Sequence, residues 1–168
     1  MHMRSNQEKQ QYRNAFKDLA RLDSFACPFA VTLTLKQSIP APGALYRTHI
    51  RLTDQMASQD LTHFLNRLNG KVFGNASRKN GKRVRVIPIL EGGGSTRLHY
   101  HLTLDCPRPA LVESYPLLVR ECWSKTTWGF HEIHVHPNCN AGWIEYTSKF
   151  QTKVNYDLSY DWLNYHNP

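Results

Sequence analysis

The amino-acid sequence predicts an α+β domain, a split βαβ antiparallel sheet with helices packed on one face, and three observations carry that prediction. Strand-like and helix-like segments follow one another as strand, helix, strand, strand, helix, strand. A glycine-rich run, Gly92-Gly93-Gly94-Ser95-Thr96-Arg97, sits where the second and third strands need a hairpin. The length, 168 residues, suits one domain built on one core. In the usual strand order of such a sheet, four-one-three-two, the second and third strands are neighbours near one edge.

Each element has its own signal. Residues 6–22 are polar, with Phe16, Leu19, Ala20 and Leu22 grouped late, the pattern of an amphipathic N-terminal helix. Phe29-Ala30-Val31-Thr32-Leu33-Thr34-Leu35 is apolar and β-branched, hence strand one. Pro40-Ala41-Pro42-Gly43 breaks regular structure. Asp54 is placed to cap a helix reaching about residue 69, with Met56, Leu61, Phe64, Leu65 and Leu68 near helical spacing and Gly70 as the stop. A basic loop, residues 77–83, leads into strand two at 84–91, and strand three covers 98–105. Pro109 opens a helix to about residue 125, with Leu111, Leu117, Leu118, Val119 and Cys122 on its apolar stripe. Residues 131–136 alternate between Gly129 and Pro137 as strand four, and 142 to about 153 reads as a last helix. No repeat, low-complexity tract or linker interrupts the chain, so residues 1–168 are expected to form a single domain. Its core would span about 29–152, with an N-terminal helix and a C-terminal extension.

Composition narrows the class. At 40% hydrophobic and 20% charged residues the chain is globular, neither disordered nor fibrous. There are 21 Lys+Arg against 13 Asp+Glu, a net charge of +8. Such an excess suits a polyanionic partner, and equally a protein that is merely kept soluble by its charge. No apolar stretch approaches the roughly 18 residues that cross a bilayer, and the first residues lack the apolar stretch of a signal peptide. The cysteines, Cys27, Cys106, Cys122 and Cys139, are scattered with no CxxC pair, which argues against a zinc ribbon and for reduced thiols. A cytoplasmic location, or a nuclear or viral context, is expected.

His99-Tyr100-His101 places two imidazoles on one face of strand three, because side chains alternate across a strand. Glu91 ends strand two across the hairpin, where its carboxylate can join them. Two imidazoles and one carboxylate leave positions open on a metal, which suits catalysis better than structure. With 9 histidines, about 0.5 His-x-His pairs are expected by chance, so two hydrogen-bonded strand histidines are the competing reading. A second pair, His134-Val135-His136, has only Glu132 of its own strand nearby and reads as ordinary strand histidines.

Tyr146 and Lys149 stand at i and i+3 on the last predicted helix, on one face. About 0.4 such pairs are expected by chance, and a tyrosine packed on the sheet beside a solvated lysine would look the same. A phenol can attack a phosphodiester and keep the cleaved strand as a phosphotyrosine ester. Its ordinary pKa of about 10 makes it a weak nucleophile, so it needs a polarised phosphate or a nearby cation. Lys149 could supply the cation, and a metal on Glu91, His99 and His101 could polarise the phosphate.

Taken together these residues resemble the HUH endonuclease superfamily, and within it the single-tyrosine rolling-circle replication initiators. The resemblance covers roughly residues 29–151, in the family's order. Residues 29–35 look like its apolar-threonine first motif, Leu98-His99-Tyr100-His101-Leu102-Thr103-Leu104 its His-hydrophobic-His strand, and Tyr146-Thr147-Ser148-Lys149 its Tyr-x-x-Lys motif. Glu91 sits where many members place the acidic third ligand. The resemblance implies an HUH-type (ferredoxin-like) fold and Mn²⁺ or Mg²⁺ as cofactor. It also implies Tyr146 as nucleophile and cleavage of single-stranded DNA, at an origin stem-loop, to a 5′-phosphotyrosine and a free 3′-hydroxyl. Phe150 stands where a second tyrosine would be, and GxxxxGK[ST] is absent, so a separate helicase and polymerase are expected. A transposase or relaxase would share this chemistry.

Single-strand binding needs cations along the backbone and aromatic faces for bases. Arg78, Lys79, Lys82, Arg83 and Arg97 flank strand two in sequence and are the expected DNA contacts, near the metal. Trp123, Trp128, Phe130 and Trp143 are available aromatics, better suited to the core. Two rival classes stay open, a noncatalytic nucleic-acid-binding module on the same fold and a structural zinc protein. The Tyr-rich end (Tyr156, Tyr160, Tyr165) matches no motif.

Overall fold

The computed structural model describes residues 6–43, 48–93, 95–137, 139–148 and 159–166. Strands β1 (Pro28–Leu35), β4 (Val86–Gly93), β5 (Thr96–Asp105) and β6 (Gly129–His136) form one sheet in the order β4-β5-β1-β6. Every neighbouring pair is antiparallel. This is the four-one-three-two order expected of the split βαβ arrangement, and it puts β6 on the far side of β1 from the β4–β5 hairpin. A second, two-stranded sheet, β2 (Ser38–Pro40) with β3 (His49–Arg51), fills the stretch read only as a break.

Helices α2 (Asp54–Phe73) and α4 (Tyr115–Ser124) cover one face of the sheet. Their buried residues Leu61, Phe64, Leu68, Val119 and Trp123 meet Phe29, Val31, Leu33, Tyr100, Leu102 and Leu104 from the sheet in one apolar cluster. Burying side chains of this size, at about 1.5–3 kcal/mol each, is what drives the two layers together. Buried Asp60 of α2 accepts the Thr127 and Trp128 amides at 3.0 and 3.1 Å and so fixes the turn from α4 into β6.

The opposite face is not left to solvent. Ala30, Ile87 and Ile89 of the sheet bury against Ile144 of the last helix, α5 (Ala141–Thr147), and against Ala20 and Phe25 from beyond the N-terminal helix α1 (Asn6–Leu19). The expectation of helices on one face alone therefore holds for α2 and α4 and fails for α5. Apolar outward positions on β1 and β4 required a second cover.

Several boundaries differ for local reasons. Helix α2 is capped by Thr53, whose hydroxyl accepts the Met56 amide at 3.2 Å, and not by Asp54. It runs through Gly70 and stops at Gly74, which takes φ 56°. Part of the basic loop is a short helix, α3 (Asn75–Asn80), ended by Gly81 at φ 65°. Pro109 opens only a 3-10 turn (Pro109–Leu111) ahead of α4.

Candidate metal and tyrosine site

The site begins with a register choice. Glu91 of β4 pairs with His99 of β5, while the next pair outward is Gly93 with Thr96, so the ladder shifts by one residue at Gly92. Without that bulge Glu91 would fall opposite Leu98, whose side chain packs toward the helices. Gly92 adopts φ 101°, and a β-carbon there would stand 2.4 Å from the Arg97 carbonyl oxygen, so only glycine fits the bulge. The bulge thus turns the Glu91 carboxylate onto the histidine face.

There the ligand atoms of Glu91, His99 and His101 all lie within 4.8 Å of one another. His99 Nε2 is 3.2 Å from His101 Nε2, and His101 Nε2 is 3.6 Å from a Glu91 oxygen. Donors bound about 2.1 Å from one ion stand roughly 3.0–3.4 Å apart at octahedral or tetrahedral angles, close to these separations. The outer nitrogens are already committed. His99 Nδ1 lies 2.8 Å from the Arg97 carbonyl oxygen, which can only accept, so Nδ1 carries the proton and Nε2 presents its lone pair. His101 Nδ1 lies 3.0 Å from the Thr32 hydroxyl, which lets that ring adopt the same tautomer. The residues therefore fit a divalent ion, held by two imidazoles and a carboxylate with positions left for a substrate.

Tyr100, between the two histidines in sequence, points to the other face. It is fully buried and donates to Asp161 at 2.9 Å, and burial, with Asp161 beside it, pushes its phenol far above the ordinary range. It serves as a structural donor.

Tyr146 comes to the site on α5. Asn140 caps that helix by accepting the Trp143 amide at 3.2 Å, and Ile144 anchors it in the outer apolar cluster. Tyr146 then lays its ring edge-on to His101, with centroids 5.4 Å apart, while Trp143 approaches the same imidazole at 5.2 Å. Tyr146 stays 49% exposed, so a substrate can reach it. Lys149 lies outside the described residues.

The expected DNA contacts do not form one cluster. Arg97 is near the metal ligands, but its guanidinium donates to the Leu35 carbonyl at 3.2 Å and stacks over Phe130 at 4.2 Å. Arg78, Lys79, Lys82 and Arg83 are exposed but precede β4, whereas Glu91 is near its far end. From Val86 to Glu91 alone the strand covers about 17 Å at roughly 3.4 Å per residue, so these four are not beside the metal ligands as sequence proximity suggested. His134 and His136 are exposed, stack parallel at 6.4 Å, and contribute nothing to the Glu91 cluster. Trp123 and Trp128 are core residues, as expected.

Sequence reasoning missed Thr32 as the partner of His101, although a threonine pairing across a strand from a histidine is a signal once the register is known. It also missed residues 159–166, which cover the β4 edge through Tyr160–Ile89 and His166–Val86 bridges. All four cysteines are free thiols, and burial, opposed by a bond to Thr103, pushes Cys139 up to about 11.

This architecture, a two-histidine, one-carboxylate cluster on a split βαβ sheet with a tyrosine packed beside it, belongs to a defined class of replication proteins. Residues 28–155 match the family described as Replication-associated protein ORF2, and the chain belongs to that family. No curated protein and no solved structure matches it. No described helix is long and apolar enough to cross a membrane.

Proposed function

We propose that the protein is an HUH-type, single-tyrosine nickase and ligase that opens single-stranded DNA at a replication origin. The observation that carries the proposal is the packing of the half-exposed Tyr146 ring on His101, itself one of three converging metal-ligand side chains. Membership in a replication-associated family gives the chemistry its setting and nucleic acid as its partner.

Glu91, His99 and His101 would hold Mn²⁺ or Mg²⁺, which would draw charge from a non-bridging oxygen of the scissile phosphate. The Arg97 carbonyl and Thr32 keep the two imidazoles aimed at that position. Tyr146 Oη attacks phosphorus and forms the tyrosine–phosphate bond while the bond from phosphorus to the 3′-oxygen breaks. The phenol proton passes to solvent and the departing 3′-oxygen takes one up, so the reaction needs no nucleotide cofactor and joins strands when run backwards. Lys149, three residues along the chain, is assigned the cation that offsets charge on the five-coordinate phosphorus. An origin stem-loop as target, and a separate helicase and polymerase, complete the reading.

The test uses a random pool of end-labelled single-stranded oligonucleotides with Mn²⁺ or Mg²⁺. Wild-type protein should release 3′-hydroxyl fragments and retain the other fragment through denaturation, and Tyr146→Phe should do neither. Binding without cleavage, indifferent to chelator, would identify a noncatalytic module instead.

A further inference from the structure

The segment over the β4 edge has more on it than an edge cover requires. Tyr160 bridges Ile89, which faces His101 on β5, so the segment begins two strand spacings, about 10 Å, from the metal ligands. It then runs antiparallel to β4 and reaches Val86 at His166, at the end where Arg83 and the basic run lie. A buried polar knot holds it. Asp161 accepts from Tyr100 and from Ser58, both at 2.9 Å, and Asn164 bonds Asp161 and the Ser58 carbonyl, each at 2.9 Å.

Between these anchors the side chains turn outward. Trp162 is 57% exposed and Leu163 75%, and the Trp162 ring contacts Tyr160 at 5.3 Å and Tyr165 at 5.7 Å. A tryptophan braced by two tyrosines on a pinned backbone is a rigid face whose ordering cost has been met by folding. Beyond it, Arg83, Asn66, Leu163, Tyr165 and His166 line a cleft of about 180 Å³ that leads toward Lys82, Arg78 and Lys79.

We infer that residues 159–166 are a track for single-stranded DNA, with Trp162 stacking a base and Arg83, Lys82, Lys79 and Arg78 holding the phosphates beyond it. Aromatic faces in series with cations are what sequence-tolerant single-strand binding requires. A protein partner would gain little from cations at this spacing. The separation of the basic run from the metal ligands, about 17 Å, is about five stacked nucleotides at 3.4 Å each. Both ends then serve one strand. The inference rests on the nickase reading only for what lies at the Tyr146 end of that strand.

The experiment is anisotropy of a labelled oligo-dT of about 12 nucleotides with the full chain in EDTA, so that no cleavage contributes. Trp162→Ala should weaken binding about tenfold, Trp162→Phe should recover most of it, and Leu117→Ala, exposed on α4, should change nothing. Lys82→Ala with Arg83→Ala should flatten the salt dependence by about 0.7 in logarithmic slope per cation, which Trp162→Ala should leave alone. Equal affinity for Trp162→Ala and the parent at unchanged melting temperature overturns the inference. So does loss of a protein–protein complex without loss of DNA affinity. The two readings fail separately: a tenfold Trp162 effect without any adduct sinks the nickase alone, and a normal adduct with no Trp162 effect sinks the track alone.

Discussion

Gly92→Ala should abolish the metal site while sparing the fold, and its neighbour supplies the control. Gly92 and Gly93 both take positive φ, 101° and 100°. An L-residue in that region costs about 1–2 kcal/mol wherever it stands. At Gly93 nothing lies within 4 Å of an added β-carbon, so Gly93→Ala should cost that much and no more. At Gly92 the β-carbon meets the Arg97 carbonyl oxygen at 2.4 Å, its carbon at 2.9 Å and Leu98 Cα at 3.0 Å, all backbone atoms that cannot rotate away. The hairpin must move, and the bulge that sets Glu91 opposite His99 goes with it. The assay is the rise in melting temperature on adding Mn²⁺. At a hundredfold excess over Kd the wild type should gain about 2.7 kcal/mol, or roughly 5–11 °C for a chain of this size. Losing Glu91 as a ligand should weaken binding at least tenfold and remove about 1.4 kcal/mol of that gain, roughly 3–6 °C. Gly93→Ala should melt lower without metal yet keep the full Mn²⁺ increment. A full increment in Gly92→Ala would refute the register argument.

Three further outcomes follow from named contacts. Thr32→Val removes the hydroxyl 3.0 Å from His101 Nδ1 at nearly constant volume, and Mn²⁺ affinity by calorimetry should fall about 10–100-fold with the fold intact. Tyr100→Phe removes a buried donor to Asp161 and should cost about 1.5–3 kcal/mol, roughly 3–12 °C in melting temperature. Burial, with Arg83 and Arg85 nearby, holds His166 below its ordinary 6.5, so the undocked segment binds more protons and docking loses stability as pH falls below about 6.5. Amide exchange at Val86, corrected for intrinsic rates, should therefore speed up from pH 7 to pH 5, and His166→Asn should remove that dependence.

What the sequence made legible was periodic or local. Alternation in residues 29–35 and 98–105 marks β1 and β5, and the same alternation puts His99 and His101 on one face. The Glu91 pairing was legible because a glycine hairpin has few registers, although the bulge at Gly92 that decides among them is a steric fact of the folded backbone. Thr32 was out of reach because a partner across a strand depends on register between segments 69 residues apart. The placement of the basic run failed for a related reason. Nearness to Glu91 in sequence is distance along an extended strand, where eight residues are a long way. The C-terminal cover lay beyond pattern reading because Asp161 and Asn164 are ordinary polar residues until Tyr100, Ser58 and Thr62 surround them.

The central claim is that Tyr146 is the nucleophile, and peptide mapping of the covalent product tests it most directly. Protein incubated with single-stranded DNA and Mn²⁺, then digested with nuclease and protease, should yield one peptide carrying a nucleotide phosphate on Tyr146. A nucleotide on any other residue, or an undiminished adduct from Tyr146→Phe, would contradict the account.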